Sequence, residues 1–397
     1  MSDVGPAGDP FEGMPFFGDL ARMLGQQGTA AWDSARQLAI SVATGGVSEA
    51  NVDPLERMGI EQLARVAELR VADVTGLTTS VSGRAVSVLP VNRSRWALDT
   101  LEAYRPLVER MAEALGPSEA PPGDPAEPGD PFTGMFSSML QIFQPMVLAM
   151  TAGSMVGHLA ERTLGQYDLP IPRPVTGAGA DELLLVVPNL DAFAEEWSLA
   201  RDDLRLWICV HEVAHHAVFA VPHVRTRMND LLTRYVSSFR NDPSALEDRI
   251  GQIDLSGPSA LAELQQAMGS PEAILGAITS PEQDALRPQL EALVATVVGV
   301  VDHVLDVVGG ELIPSYSRLT EALRRRRVEA AEADRFVERL FGLELTQATY
   351  DRGGAFVAGV LERAGDDGLR RLWSSDAHLP TPAEVDAPGL WLARIDL

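Results

Sequence analysis

Apolar residues recur at helical spacing along most of the chain, whereas β-type patterns are few. Apolar positions three and four residues apart indicate amphipathic helices. This spacing occurs over residues 30–42, 60–75, 96–115, 190–199, 202–221, 281–308, 316–340 and 352–374. Strands are predicted in the alternating Thr, Ser and Val residues of 77–95 and in the continuous apolar run from Leu183 to Val187. We therefore predict a mainly α protein, a helical domain with few short strands.

Capping residues mark the expected ends of some of these helices. Gly76 follows the second helix and is a typical C-terminal stop. Ser280 precedes Pro281, and Gln283 lies three residues after the serine, which is the pattern of an N-terminal capping box. We expect the helix that begins there to end at Gly309-Gly310, because glycine is common just after a helix ends.

Composition distinguishes one large region from two irregular segments. Residues 1–28 are rich in Gly, Pro, Phe and Met and are predicted to form an irregular N-terminal arm. Residues 116–130 are rich in Pro, Gly and acidic residues and are predicted to form a loop. We interpret 29–397 as a single helical domain, with an irregular tail from about residue 379.

The stretch from Met135 to Gly157 contains no charged residue over a length that could span a membrane. It contains Gln141, Gln144 and Pro145, and no basic flank sets an orientation. A central helix that other helices bury is therefore the favoured interpretation, and a membrane-associated protein is the weaker alternative.

Net charge and cysteine content limit the expected partners and compartment. The 397-residue chain has a formal net charge of −24, which disfavours nucleic acid and anionic membranes as partners. The basic run from Arg324 to Arg327 is interpreted as a solvated helix face or a carboxylate clamp rather than a nucleic-acid patch. The single cysteine, Cys209, excludes an intramolecular disulfide, and the first residues have no signal-peptide pattern. We expect a cytoplasmic protein.

Candidate chemistry is concentrated in the helix of residues 202–221, which contains His211-Glu212-Val213-Ala214-His215. Positions four apart share one helix face, so the imidazoles of His211 and His215 can bind one Zn²⁺ at about 2.0–2.1 Å. Glu212 lies beside them and can accept a proton from a metal-bound water, whose pKa falls to about 7. The alternative is a core helix whose histidines donate hydrogen bonds to backbone carbonyls. Cys209 lies on a different face and is expected to be buried and inert.

Several motifs outside this helix carry a family resemblance. They are Leu164-Gly165-Gln166-Tyr167-Asp168, Pro188-Asn189, Leu206-Trp207, Phe219, Val221-Pro222, Arg324 to Arg327 and Gly342-Leu343-Glu344-Leu345. With the His-Glu-x-x-His pattern, they make the chain similar to the type-2 zincin-like metallopeptidases and hydrolases of bacteria, some of which are associated with deazaflavin cofactor biosynthesis. The stretch from Gly13 to Gly28 resembles one branch of that family.

The resemblance implies a mainly helical zincin-like domain with one zinc ion, held by the two motif histidines and by a glutamate from a later helix. In the matching stretch from Val297 to His303, Val298 stands where that glutamate is expected. Valine cannot bind a metal, whereas a catalytic zinc usually has three protein ligands and a water. Asp302 is one turn further along, about 5.4 Å along the helix axis, and it and His303 are the candidate third ligands. Without a metal, Asp302 could hydrogen-bond a motif histidine and His303 could lie between helices.

Two functional hypotheses follow. The first is a zinc-dependent hydrolase, a metallopeptidase or related amide hydrolase, in which Glu212 is the general base. Tyr316 and Tyr350 are its candidate oxyanion donors, between which spacing does not choose. The second is a catalytically inactive zincin-fold protein that acts as a binding or scaffold module, which Val298 favours. His216 lies off the ligand face and is expected to support the site or the core. Neither the particular peptide or amide substrate nor the oligomeric state follows from the sequence.

Overall fold

The computed structural model describes residues 31–115, 131–174, 180–240, 280–329 and 332–396. For residues 131–145, 147, 332 and 333 it describes the backbone alone. The predicted arm of residues 1–28 and the predicted loop of residues 116–130 lie outside the described residues. The assignment of 29–397 to one domain stays a prediction.

The described chain is mainly helical, as the periodicity predicts. Residues 31–44 form α1. The following helices are α2 (Pro54–Thr75), α3 (Arg93–Ala114), α4 (Pro131–Arg162), α5 (Val187–Glu196), α6 (Arg201–Ala220), α7 (Pro222–Ser237), α8 (Pro281–Leu312), α9 (Tyr316–Val328), α10 (Glu332–Leu340), α11 (Gln347–Arg370), α12 (Pro382–Val385) and α13 (Pro388–Ile395). Two 3₁₀ turns, Arg371–Trp373 and Asp376–His378, follow α11.

Two short strands form one parallel pair. β1 (Ser87–Val91) pairs with β2 (Glu182–Val186), with Leu89 opposite Leu184. Consecutive residues of β2 are buried, which explains why its sequence is a continuous apolar run rather than an alternating one.

The predicted strand region of 77–95 is only partly a strand, because α3 begins inside it at Arg93. Asn92 caps that helix: its side-chain oxygen accepts a hydrogen bond from the backbone N–H of Arg95 at 3.0 Å. An asparagine cap satisfies a backbone donor of the first helical turn, and it stops β1 from extending further.

Two of the three predicted helix ends are confirmed. Gly76 ends α2 in the left-handed conformation with φ 69°, and the capping box of Ser280 and Gln283 begins α8. The predicted stop at Gly309-Gly310 is wrong, because α8 continues to Leu312. Gly309 serves packing instead, since a Cβ at this position would lie 2.3 Å from the ring of Tyr316.

Two other predictions are corrected towards the C-terminus. The single helix predicted over 316–340 is two helices, α9 and α10, and the tail predicted to be irregular contains α12 and α13. Thr381 and Glu384 form a capping box at the start of α12. Trp391 of α13 is fully buried, and its indole N–H donates to the carbonyl of His378 at 2.6 Å. This large buried side chain orders the tail against the core.

Helices α6 and α8 lie at the centre of the fold. Buried hydrophobic residues from Ala31 to Leu392 form one connected cluster, and α6 packs against α2, α5, α7, α8, α9 and β2. α8 crosses α11 closely at Gly299 and Gly353, where a Cβ on Gly353 would lie 2.1 Å from the carbonyl oxygen of Ala295. The two helices can therefore approach this closely only because glycine has no side chain.

Among the described residues, α8 is long and apolar enough to cross a membrane, but 78% of its most apolar window is buried inside the fold. A long apolar helix that is surrounded by other helices is a core helix. The uncharged stretch from Met135 to Gly157 lies in α4, where Ala149, Ala152 and Val156 are buried.

Candidate functional site

The two motif histidines lie on adjacent turns of α6, with ring centroids 4.4 Å apart. Both are buried, with 8% of His211 and 2% of His215 exposed. Trp207 stacks on the ring of His211 at 5.1 Å between centroids, and Tyr167 stacks on the ring of His215 at 5.5 Å. The histidine pair is therefore enclosed between an indole and a phenol ring.

Hydrogen bonds engage the Nδ1 atom of each motif histidine. His211 Nδ1 lies 3.0 Å from Glu212 Oε1, and His215 Nδ1 lies 3.1 Å from the carbonyl oxygen of His211. With acceptor oxygens as partners, each Nδ1 carries the hydrogen and each Nε2 carries a lone pair. His215 Nε2 is buried and has no hydrogen-bond partner within the described part of the chain. Such a nitrogen is costly to bury unless a ligand completes it.

Glu212 is completely buried, and a loop built around Gly165 surrounds its carboxylate. The peptide N–H groups of Gln166 and Tyr167 donate to the carboxylate at 2.8 and 2.9 Å. A Cβ on Gly165 would lie 2.4 Å from Oε1, so the missing side chain makes room for Glu212. Burial raises the pKa of Glu212, and the hydrogen bond from His211 opposes that rise.

The loop that carries Gly165 is anchored to the sheet and to α3. Val186 of β2 donates its N–H to the carbonyl of Leu164 at 3.0 Å, and Gly165 forms an antiparallel bridge with Leu185. The indole N–H of Trp96 donates to the carbonyl of Gly165 at 2.9 Å. The two-stranded sheet therefore fixes the loop that orients the motif glutamate.

His216 belongs to a second buried network beside the motif. Its Nδ1 lies 3.2 Å from the hydroxyl of Tyr167, and its Nε2 lies 3.1 Å from Asp181 Oδ1. Burial opposes the ionisation of Asp181, but hydrogen bonds led by that from Ser82 lower its pKa to about 2. Because Tyr167 also contacts the motif glutamate and the second motif histidine, this network supports the site, as predicted for His216.

His211 opens onto a cavity of about 110 Å³, which we call the His211 cavity. Apolar and aromatic side chains form much of its wall, and six charged side chains complete it: Arg162, Asp168, Arg326, Arg327, Asp334 and Glu338. Most of these charges are paired, Arg326 with Asp168 at 2.7 Å and Arg162 with Asp334 at 3.8 Å. Burial raises the pKa of Glu338 to about 7.

A partition of Trp207, Leu323 and Arg327 separates the His211 cavity from a second cavity of about 200 Å³, which we call the Asp306 cavity. Its other lining residues are Asp302, Leu305, Asp306, Tyr316, Thr320, Arg324, Gln347 and Asp351. Arg327 pairs with Asp302 at 3.3 Å, and its guanidinium lies 3.9 Å from the centroid of the Tyr350 ring. The basic run of α9 therefore includes carboxylate clamps, in agreement with one of its two interpretations.

The predicted third ligands lie in two different surroundings, and neither lines the His211 cavity. Asp302 is paired with Arg327 and lines the Asp306 cavity. His303 lines a small separate cavity, and Val298 is 2% exposed within α8. Among the described residues, no three His, Cys, Asp or Glu side chains are grouped to hold a metal ion. The assignment of Asp302 and His303 as ligands stays a prediction.

The structure distinguishes the two tyrosines considered as oxyanion donors. The hydroxyl of Tyr316 donates to Asp306 at 2.6 Å and faces the Asp306 cavity. Tyr350 lines the His211 cavity, and burial raises its pKa to about 12. Its phenol therefore keeps its proton near neutral pH and can donate a hydrogen bond. The position of Tyr350 favours it over Tyr316.

Sequence reasoning missed most of the groups that surround the motif. The peptide N–H groups of Gln166 and Tyr167, the partner of His216, and the position of Arg327 depend on contacts between distant segments. One signal was present, because the stretch from Leu164 to Asp168 is part of the family resemblance. Cys209 is buried and free as expected, and burial raises the pKa of its thiol.

The chain is similar to known proteins over nearly its whole described length. A family model described as a zincin-like metallopeptidase matches residues 31–392. Among solved structures, the chain is similar to a proposed hydrolase with a novel fold from Chloroflexus aurantiacus, at 25% sequence identity and a TM-score of 0.62. That similarity covers 92% of this chain and 98% of the other. No curated protein matches the chain.

Proposed function

Because the chain belongs to the zincin-like metallopeptidase family, we propose that it is a zinc-dependent hydrolase of peptide or related amide bonds in the cytoplasm. His211 and His215 would hold the zinc ion through their Nε2 atoms. The observation that carries the proposal is the buried Nε2 of His215, which has no partner among the described residues. A metal ion is the ligand that two neighbouring imidazole lone pairs most often share.

Bound zinc would supply a Lewis acid and a water whose pKa falls to about 7. In the chain itself, Glu212 acts as the general base and holds the proton between steps. Its carboxylate is oriented by the peptide N–H groups of Gln166 and Tyr167. Its hydrogen bond with His211 Nδ1 also fixes the tautomer that leaves Nε2 free.

The His211 cavity supports binding of an apolar portion of the substrate. Leu323, Leu345 and Trp207 line it, and apolar walls with a few polar groups are typical of small-molecule and peptide pockets. Arg327 and Tyr350 line the same cavity. Both are hydrogen-bond donors that can bind a carbonyl oxygen on which negative charge develops.

Zinc affinity tests the proposed ligands. We expect the purified protein to bind about one zinc ion per chain, as a single zincin site requires. His215→Ala should weaken binding by more than the roughly 10–100-fold that follows loss of a group that only orients a ligand. Competition with a chelator measures the affinity. His158→Ala is the matched control, because His158 is exposed on α4. Equal losses of zinc affinity in the two variants would contradict the assignment of His215 as a zinc ligand.

The same assay tests the predicted third ligands. Asp302→Ala and His303→Ala each remove one candidate, and the true ligand should be the one whose loss weakens zinc binding by a factor comparable to His215→Ala. An unchanged affinity in both variants would mean that neither residue binds the metal.

Hydrolysis tests the role of Glu212. We expect the zinc-loaded protein to cleave members of a synthetic peptide mixture, followed by mass spectrometry. Glu212→Gln keeps the side-chain shape, so it should retain zinc but lose roughly 10²–10⁴-fold in rate, the contribution of a general base. Cleavage that persists in this variant, or after chelation of the metal, would contradict the proposed chemistry.

A second candidate function is an inactive zincin-fold module that binds a partner without catalysis. One observation in its favour is that no third His, Cys, Asp or Glu is grouped with the motif histidines among the described residues. A second is the charge of Arg327: burial and His211 lower the pKa of His215, and Arg327 lowers it further. A cation near the second histidine opposes the binding of another cation.

Val298→Glu separates the two candidates, because it places a carboxylate where the family resemblance expects one. Zinc binding that appears only in this variant supports the inactive module. Zinc binding that is already present in the natural chain supports the hydrolase. Val298→Gln is the control, since it has the same length without the charge, and thermal unfolding of both variants measures what the buried polar group costs.

A further inference from the structure

We propose that the Asp306 cavity binds the free amino terminus of a peptide. The α-ammonium group would bind Asp306, Asp351 and Gln347, and the first carbonyl oxygen would bind the indole N–H of Trp207. The inference rests on the proposed function in calling this peptide a substrate. Recognition of the chain end itself uses neither motif histidine.

Two carboxylates at the cavity have only uncharged hydrogen-bond partners within the described residues. Asp306 accepts from the hydroxyl of Tyr316 at 2.6 Å, and Asp351 accepts from the amide of Gln347 at 2.8 Å. Asp302 differs, because it is paired with Arg327. Arg324 and Arg327 line the same cavity, so its three aspartates, Asp302 among them, leave the lining with one net negative charge. A cationic ligand would gain from that charge.

The surroundings of Tyr316 agree with a negative potential in the cavity. Burial raises the pKa of Tyr316, and Asp306 and Asp302 raise it further. Two helices supply these carboxylates, because Asp306 lies on α8 and Asp351 on α11.

Two buried polar atoms of the lining add an independent observation. Gln347 Oε1 is a buried acceptor and Trp207 Nε1 is a buried donor. Neither atom has a hydrogen-bond partner in the described structure. Trp207 is only 5% exposed. Buried polar groups are nearly always satisfied in native proteins, so an open acceptor and an open donor on residues that line this cavity indicate a polar ligand.

The chemistry of these groups identifies the ligand class. An ammonium group has three N–H donors and no acceptor, which matches the acceptors of Asp306, Asp351 and Gln347. The open N–H of Trp207 requires an oxygen acceptor. A peptide amino terminus carries both groups on one α-carbon, an ammonium group and a carbonyl group. A divalent cation fits less well, because these carboxylates are not grouped to hold a metal ion in the described chain.

The position of the cavity connects this ligand to the candidate active site. Trp207 stacks on the motif histidine His211 and forms part of the partition between the two cavities. A chain end held in the Asp306 cavity therefore lies one aromatic ring away from His211. This placement puts the peptide amino terminus beside the candidate active site.

Calorimetric titration of the metal-free full chain tests the inference without hydrolysis. The probe is L-leucinamide, which has an α-ammonium group and a carbonyl oxygen. N-acetyl-L-leucinamide lacks the ammonium, and Nα-acetyl-L-lysinamide carries its ammonium on the side chain alone. We expect L-leucinamide to bind about fivefold or more tightly than either of the others, the scale of one or two exposed ion pairs.

A double variant, D306N with D351N, should reduce L-leucinamide binding by about fivefold to the level of the acetylated probe. The matched control is D202N with D367N, which changes the net charge equally at side chains that are 86% and 94% exposed. Thermal unfolding checks that both doubles fold. Asparagine keeps an oxygen that can accept from Tyr316, so the packing there is retained.

Each other result overturns the inference. Equal binding of L-leucinamide and its acetylated form would exclude ammonium recognition. Equal weakening of L-leucinamide binding by the control double variant would mean that only the net charge of the protein matters. Preference for the lysinamide would assign the cavity to a side chain instead of a chain end. Repeating the titration with zinc present separates the two proposals: ligand binding in a chain that never binds zinc would refute the proposed function and leave the cavity's specificity intact.

Discussion

At the residue scale, the absence of a side chain at Gly165 is as important to the site as any functional group. Glu212 occupies the space that a Cβ on Gly165 would take, and neighbouring peptide N–H groups hold its carboxylate. A residue without chemistry of its own therefore determines where the proposed base can lie.

Gly165→Ala should displace the Glu212 carboxylate, because the new Cβ would lie 2.4 Å from Oε1 and 2.5 Å from Cδ. We expect a loss of about 1–3 kcal/mol in unfolding free energy, the usual cost of overpacking a buried position, together with weaker zinc binding. Chemical denaturation and chelator competition measure the two effects. Gly310→Ala is the control, since nothing lies near its added Cβ. Equal unfolding free energies and zinc affinities in the two variants would mean that Glu212 moves away from the new Cβ without loss of stability or zinc binding.

Glu338 makes the stability of the protein depend on pH near neutrality. Burial raises its pKa to about 7, whereas an unfolded glutamate titrates near about 4.3. Between these values the folded state binds more protons than the unfolded state, so stability falls as pH rises from about 4.5 to about 7 and stays lower above it.

Glu338→Gln should remove this term and be more stable than the natural chain by about 1–3 kcal/mol at pH 8. The difference should shrink towards pH 5, where the natural glutamate is neutral. Urea denaturation at several pH values measures it. Glu362→Gln, at a side chain that is 79% exposed, should give a nearly constant difference. A constant difference for Glu338→Gln as well would argue against a raised pKa in the folded state.

At the scale of secondary-structure elements, α8 and α11 cross in close contact within the core. A Cβ on Gly353 would meet the carbonyl oxygen of Ala295 at 2.1 Å, and backbone atoms cannot rotate away as a flexible side chain can. The crossing also places Asp302 of α8 and Asp351 of α11 at the same cavity.

Gly353→Ala should force the two helices apart and cost about 3 kcal/mol or more, the upper range for overpacking. Gly354→Ala, one residue further in the same helix, meets open space and should be neutral or stabilising by up to about 1 kcal/mol, the intrinsic preference of helices for alanine. Thermal and urea unfolding measure both. Similar stabilities would show that the helix pair adjusts freely at the crossing.

Element prediction from the sequence succeeded where local signals decide the structure. The apolar spacing of α6 and the capping box at Ser280 depend on residues within one or two turns, and both are confirmed. Prediction failed where distant packing decides: Gly309 looks like a helix stop but accommodates the ring of Tyr316, and the tail is ordered by the burial of Trp391.

At the scale of the whole molecule, the candidate site is part of the core. One connected hydrophobic cluster runs from Ala31 to Leu392, and α6, which carries the motif, packs against six other elements. A ligand that binds only the folded site must therefore stabilise the molecule against global unfolding.

Zinc should raise the unfolding free energy by about 2.7 kcal/mol when its free concentration is about 100 times the dissociation constant. Urea unfolding with and without a zinc-buffering chelator measures this increase. His215→Ala should abolish it, and His158→Ala should retain it because that histidine is exposed on α4. A zinc effect that is the same in both variants would place the metal elsewhere on the chain.

The site was predictable from the sequence in its local part only. His211, Glu212 and His215 lie within five residues of one helix, so helical geometry alone brings them together. Tyr167, Asp181 and Arg327 reach the site from separate segments, and no spacing rule predicts such contacts. The position of a third metal ligand cannot be predicted from spacing either, because it depends on how α8 is oriented against α6.

The two peptide N–H groups that hold Glu212 provide a built-in spectroscopic probe. The amide protons of Gln166 and Tyr167 point at the carboxylate oxygens from 2.8 and 2.9 Å, measured between heavy atoms. Their nuclear magnetic resonance signals will consequently move whenever the charge or position of that carboxylate changes. Arrival of an ion, a proton or an inhibitor can thus be followed residue by residue in solution, before any turnover assay exists.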